Sequence, residues 1–252
     1  MSFENFHSRI GLYIIVAMQR SWFTVQSGDG QIKEILNFVL DIFNQVLPIV
    51  SEEECIIFND SSAEFPMLIT NQKKLKLRLS VEKESYWNQV IYQMSHEIMH
   101  YALRQRRKKK SEILNWFEET ICEAMSLYIM SIAMTKWCLC NLSKLDSNYY
   151  KYIGSYLNEE LKKKGDKISG CVTLDCLRKM NEEAETHREW RYDIRNSTYQ
   201  LFKRYPKGIL EVLAYSEYIE ENRLTINFNK WQRDCRYPQF IKELALIQPE
   251  VH

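Results

Sequence analysis

His96 and His100, two of the five histidines in the chain, stand four positions apart in "MSHEIMHYA", and Glu97 directly follows the first. On a helix, residues i and i+4 project from one face a turn apart, so both imidazoles can reach one metal ion. Glu97 can then point into the same cleft. The pattern HExxH pairs two zinc ligands with a carboxylate that acts on water rather than on the metal, which is the requirement of metal-assisted hydrolysis. A hydrolytic zinc site usually takes three protein ligands, so a further histidine or carboxylate is needed on a neighbouring element. Glu118, Glu119 and Glu123, in "NWFEETICEA", supply the candidates.

"HEIMH", then eighteen residues, then Glu119 within "FEETICEA" resembles the gluzincin clan of zinc metallopeptidases. The resemblance implies that His96, His100 and Glu119 bind Zn2+ and that Glu97 is the general base. It also implies that Glu123, on the same face as Glu119, hydrogen-bonds a ligand histidine and fixes its tautomer. Glu118 lies about 100° around the helix from Glu119 and is expected to be solvated or substrate-facing, with a lesser claim to be the ligand. An edge strand ahead of the active helix, here "KLKLRLSV", fits the clan's architecture and would carry substrate backbone. The clan also takes a histidine, tyrosine or arginine from its carboxyl-terminal lobe to stabilise the oxyanion. His187 and Tyr192, in "HREWRYDIRNSTY", are the catalytic candidates there, with Arg195 and Asn196 beside them. A glycine-rich exopeptidase motif and the histidine that marks thermolysin-like enzymes are both missing. The "EETICEAMSLYIM" stretch is loosely similar to short cytosolic proteases that cleave transcriptional repressors, so the implied substrate is an intracellular protein or peptide.

The elements that must hold these groups are legible from periodicity. Ile32, Ile35, Leu36, Val39, Leu40, Phe43 and Val46 predict a helix over 31–47, closed by Pro48. "CIIF" at 55–58 reads as a buried strand. Strict alternation at 74–81 predicts a half-exposed strand, whose lysines suit a sheet edge. Trp87, Ile91, Met94, Ile98 and Ala102 form the core-facing row of a helix from Glu84 to about Gln105, with Gln89, Gln93, His96 and His100 as its polar stripe. A second helix is expected from about Glu112 to Trp137. Further helices are expected near 147–163, 173–204 (as two) and 209–221, then a strand "LTINF" and a last helix broken near Pro238. The expected fold is α+β and predominantly helical. A zincin-like lobe with a small sheet spans 1–140, and a helical lobe over 141–252 completes the cleft.

Composition bounds the alternatives. With 34 basic and 33 acidic residues the formal charge is +1, which gives no reason to expect a polyanion partner for the whole molecule. Seven scattered cysteines suggest reduced thiols and a cytoplasmic setting. The pairs Cys138/Cys140 and Cys171/Cys176 lack common structural-zinc spacing, and buried thiols are expected there. The apolar run "IGLYIIVAM" has no cleavage site after it and is expected to be a strand or short helix; no membrane partner is expected. "RQRRKKK", from Arg104 to Lys110, is expected to be a solvated turn that complements the end of the first motif helix. Two other readings use the same residues: a zinc-containing domain that binds a partner without cutting it, and a nucleic-acid-binding protein that uses the basic run.

Overall fold

A computed structural model describes residues 21–26, 30–48, 53–107, 113–165 and 173–249. The run at residues 10–18, Lys108–Lys110 and Cys171 lie outside the described residues.

Four strands form one mixed sheet: β1 (Phe23–Val25), β2 (Cys55–Asn59), β3 (Met67–Ile69) and β4 (Leu75–Leu79), in the order β1-β2-β4-β3. The first three in that order run parallel, and β3 closes the edge antiparallel to β4, with Leu68 opposite Leu77. The expected alternation is present: Leu75, Leu77 and Leu79 are buried, while Lys76 and Arg78 are half-buried on the opposite face. The expectation that residues 74–81 form the sheet edge is corrected. β4 is interior, and among the described residues the sheet ends at β1 on one side and β3 on the other. Alternation reports which face of a strand is buried, whereas pairing occurs in the perpendicular direction.

Helix α1 (Gln31–Val46) and helix α2 (Trp87–Arg106) pack together beside the sheet. Trp87, Ile91, Met94, Ile98 and Ala102 of α2 are all buried, as their spacing predicts. Two amide side chains fix the passage from β4 into α2. Asn59 accepts from Val81 N and donates to Val81 O, both at 3.0 Å, and Gln93 accepts from Ser80 N at 2.9 Å. Gln93, one turn before His96, therefore ties the helix face that carries the histidines to the end of the sheet.

Helix α3 (Asn115–Lys136) is the axis of the molecule. It touches α1 and α2 on one side, and α4 (Tyr150–Lys162), α5 (Leu174–Glu182) and α6 (Tyr192–Arg204) on the other. Each residue from Trp116 to Met130 is buried. Thr120 and Ser126 satisfy their hydroxyls on the carbonyls one turn back, at Trp116 (2.7 Å) and Cys122 (3.0 Å). Carboxylates in such a helix must find partners within the protein.

The remainder is helical, with short 3₁₀ segments at Trp137–Leu139, Asn141–Lys144, Arg188–Arg191 and Pro206–Tyr218, then α7 (Phe228–Asp234) and α8 (Pro238–Ile247). "LTINF" is not a strand: only Ile226 makes an isolated bridge, to Ile219, and Phe228 opens α7. The mostly helical α+β architecture follows the expected class, and one buried core runs through both halves of the chain. Trp87 of α2 stacks on Trp137 at 5.7 Å and meets Tyr149 at 4.6 Å, which joins the two halves. Among the described residues, no helix is long and apolar enough to cross a membrane.

Candidate metal centre

His96 and His100 lie on consecutive turns of α2, and Glu119 lies on the first half of α3, which packs along α2. The three converge. His96 Nε2 and His100 Nε2 are 3.1 Å apart. Glu119 Oε2 is 3.3 Å from His96 Nε2, and Glu119 Oε1 is 3.1 Å from His100 Nε2. Four ligands bound tetrahedrally at about 2.1 Å have their donor atoms roughly 3.4 Å apart, so this spacing fits a small divalent ion. The group can hold a metal, and it is the cluster of such residues among the described ones. Two ring nitrogens facing each other at hydrogen-bond distance need either a shared proton or a cation between them.

The surrounding groups make the cluster electrostatically distinct. Glu97 is almost fully buried, and that burial raises its carboxyl above the ordinary range against the opposing pull of both histidines. Burial pulls the His100 imidazole down, but the neighbouring Cys122 thiol and the carboxylates of Glu119 and Glu118 together hold it well above its usual value. Burial opposes ionisation of Glu119, yet the two histidines hold its carboxyl well below the usual range.

Glu118 departs from expectation. It is buried rather than solvated, and its Oε1 lies 3.0 Å from His100 Nδ1. Its Oε2 accepts from Arg107 and from the Tyr215 hydroxyl. Glu118 thus occupies the histidine-orienting position expected of Glu123. Glu123 is a further turn along α3 and fully buried, and it faces arginines: Arg191 Nη2 donates to its Oε1 at 3.2 Å, with Arg188 and Arg195 each at 3.7 Å. The expected bond from Glu123 to a ligand histidine is corrected. His96 Nδ1 is buried without a hydrogen-bond partner among the described residues.

The cluster opens on a cleft of about 250 Å³. One wall is the β3 edge with the segment before it, from Phe65 to Leu68, and Glu97 is among the lining residues. Arg104 of α2, Arg107 just after that helix, Glu185 and Arg188 also line it. The start of the basic run closes α2, with Arg104 and Arg106 in its last turn as expected and Arg106 exposed, whereas the Arg107 side chain is not solvated: it is 5% exposed, against Glu118. His187 and Tyr192 do not line the cleft. His187 pairs with Glu183 and Glu189 and stacks on Trp190, while Tyr192 packs against Arg195 and Lys163. Arg188, immediately after His187, is the residue from this segment that reaches the cleft, because the 3₁₀ turn over 188–191 aims Arg188 and Arg191 at Glu123. Arg195 is buried and bonded to Glu160, and Asn196 caps carbonyls at Leu161 and Lys163.

Arg188, Arg107 and Tyr215 were not among the sequence candidates for the site. Arg107 had a signal, since it follows the His96/His100 face along α2, but Tyr215 lies 97 residues from its partner Glu118 and had none. Of the remaining thiols, Cys140 is buried as expected, whereas Cys138 and Cys176 are exposed. No protein-family model, curated protein or solved structure matches this chain.

Proposed function

We propose that the protein is a zinc-dependent peptidase of gluzincin type. The observation that carries the reading is the convergence of His96 Nε2, His100 Nε2 and the Glu119 carboxylate within 3.1–3.3 Å, with a buried Glu97 beside them on an open cleft. Two imidazoles and one carboxylate with a remaining open position form the donor set of a hydrolytic zinc site. Zinc held there supplies Lewis acidity, which polarises a carbonyl and makes water acidic near neutrality.

The chain's own groups do the rest. Glu97, as a carboxylate that burial makes more basic than an exposed one, takes a proton from water in the cleft as the water oxygen adds to the carbonyl carbon, and delivers it to the departing amine as the carbon–nitrogen bond breaks. Glu118 holds the His100 ring through Nδ1, so that Nε2 faces His96 and Glu119. His187 and Tyr192, expected to face the charge that develops during attack, lie away from the cleft, and Arg188 is the cation of that segment that lines it. The free β3 edge, with Met67 and Leu68 on the cleft wall, offers backbone pairing to an extended peptide.

The decisive experiment is Glu97→Gln in a preparation whose zinc content is measured. Loss of peptide cleavage with zinc retained supports the reading; cleavage that survives the change sinks the mechanism.

A further inference from the structure

"HREWRYDIRN" places arginines at 188, 191 and 195, spaced to share one helical face. All three meet the two carboxylates Glu123 and Glu160. The pairing is unequal. Arg191, fully buried, donates to Glu123 Oε1 at 3.2 Å and to the Ala184 carbonyl. Arg195, 1% exposed, donates to Glu160 Oε2 at 3.2 Å and to the Glu160 carbonyl. Glu160 is further engaged by Lys163 at 2.7 Å. The two carboxylates are therefore matched by the two buried guanidiniums. Arg188 is left with one ion-pair contact among the described residues, Nε to Glu123 Oε1 at 3.7 Å, beyond hydrogen-bond distance. Its side chain is 33% exposed and sits on the cleft wall.

Arg188 keeps its charge in the field of Glu123, Glu119 and Glu97, but its guanidinium makes no hydrogen bond among the described residues. Glu185 shares the wall but makes no ion pair with Arg188, and Glu119 is committed to the two histidines. Arg104, the other cleft arginine outside the Glu118 network, has Glu53 at 3.8 Å and lies on the α2 wall. The guanidinium fork of Arg188 is thus open toward the cleft, and a carboxylate is the group whose geometry it matches in two parallel hydrogen bonds.

We propose that Arg188 forms a carboxylate-binding subsite of the cleft, so that the protein selects peptides carrying an acidic group beside the metal centre, either an Asp or Glu side chain or a free carboxyl terminus. The ligand being a peptide rests on the peptidase reading. The buried pairs of Arg191 and Arg195 supply the rigidity: they fix the 3₁₀ turn and so the direction in which Arg188 points. Such preorganisation lets one charged contact discriminate strongly.

The test uses the zinc-loaded chain carrying Glu97→Gln and calorimetric binding of one peptide in three forms. The first has a central Asp and an amidated end, the second a central Ala and a free carboxyl end, and the third a central Ala and an amidated end. One of the first two should bind roughly ten- to a hundredfold more tightly than the third, which identifies the source of the carboxylate. Arg188→Met should remove that difference, and Arg188→Lys should restore it only in part. Equal binding of the three forms, a preference that survives Arg188→Met, or one removed by Arg104→Met instead, overturns the subsite. In the unsubstituted chain, succinate should slow phenylglyoxal modification of Arg188, read by peptide mass spectrometry; no protection and no binding of any peptide also overturns it. Cleavage by the unsubstituted chain reads the peptidase assignment separately. Cleavage without charge preference removes the subsite alone, whereas selective binding without cleavage removes the peptidase reading alone.

Discussion

The Nδ1 atom of His100 lies 3.0 Å from Oε1 of Glu118, the residue directly before the candidate ligand Glu119. Adjacent carboxylates on α3 thus meet one imidazole from two sides, Glu119 at Nε2 and Glu118 at Nδ1. Arg107 and Tyr215 hold Glu118 in turn. With Nδ1–H held by Glu118, the neutral ring presents its lone pair at Nε2, the form a metal requires.

Glu118→Gln should therefore weaken zinc binding by about ten- to a hundredfold while leaving the three ligands intact. Competition against a chromophoric chelator measures this. Glu123→Gln, at the position expected to orient a histidine, should leave zinc affinity within a few fold of the parent. If the two results are exchanged, the assignment of Glu118 is wrong.

Zinc binding should release protons. In the metal-free chain His100 is held protonated above its ordinary range, so the metal must displace that proton. A raised pKa means that the proton persists as pH climbs past about 6.5. Zinc affinity should accordingly keep rising through and beyond neutral pH, instead of levelling off near 6.5. Calorimetry in buffers of different ionisation enthalpy reads the released protons directly.

Truncation of Glu123 should be among the more destructive single changes. Its carboxylate is fully buried, and it sits between Arg191 and Arg195, which are buried as deeply. Glu123→Ala leaves those guanidiniums short of counter-charge, at a cost of about 3–5 kcal/mol. Urea unfolding should show this as a lower midpoint.

Gly208 offers a test far from the metal. A Cβ there would stand 2.5 Å from Cγ of Phe240, which is itself buried in the core. Gly208→Ala should cost about 1–3 kcal/mol by overpacking. Gly208 lies in the same 3₁₀ segment as Tyr215, so displacing the segment should also loosen the hydroxyl contact to Glu118. A fall in zinc affinity alongside the fall in stability would show that the two are mechanically joined; unchanged stability would contradict the packing described.

Much of this arrangement depends on local rules and was readable in the chain. The four-residue spacing of His96 and His100 places them on one helical face because 3.6 residues make a turn, whatever surrounds the helix. The row from Trp87 to Ala102 and the alternation of Leu75, Leu77 and Leu79 predicted their buried faces for the same reason. Glu119 was the expected third member of the group, and the structure brings it to both imidazoles.

The tertiary structure decided the rest, because long-range packing selects among residues whose local geometry is equivalent. Glu118, Glu119 and Glu123 share one helix; which of them meets a histidine and which meets an arginine depends on what α2 and the 188–191 turn present to α3. Strand alternation could not reveal that β4 is interior and β3 free, since neighbours are chosen across the sheet and not along the strand. Nor could periodicity separate Arg188 from His187, adjacent residues of which only one faces the cleft. The sequence by itself determined which groups are available and how they repeat along each helix or strand. Direction toward a partner distant in the chain was set by the packed core, where a buried charge is tolerated only beside its complement.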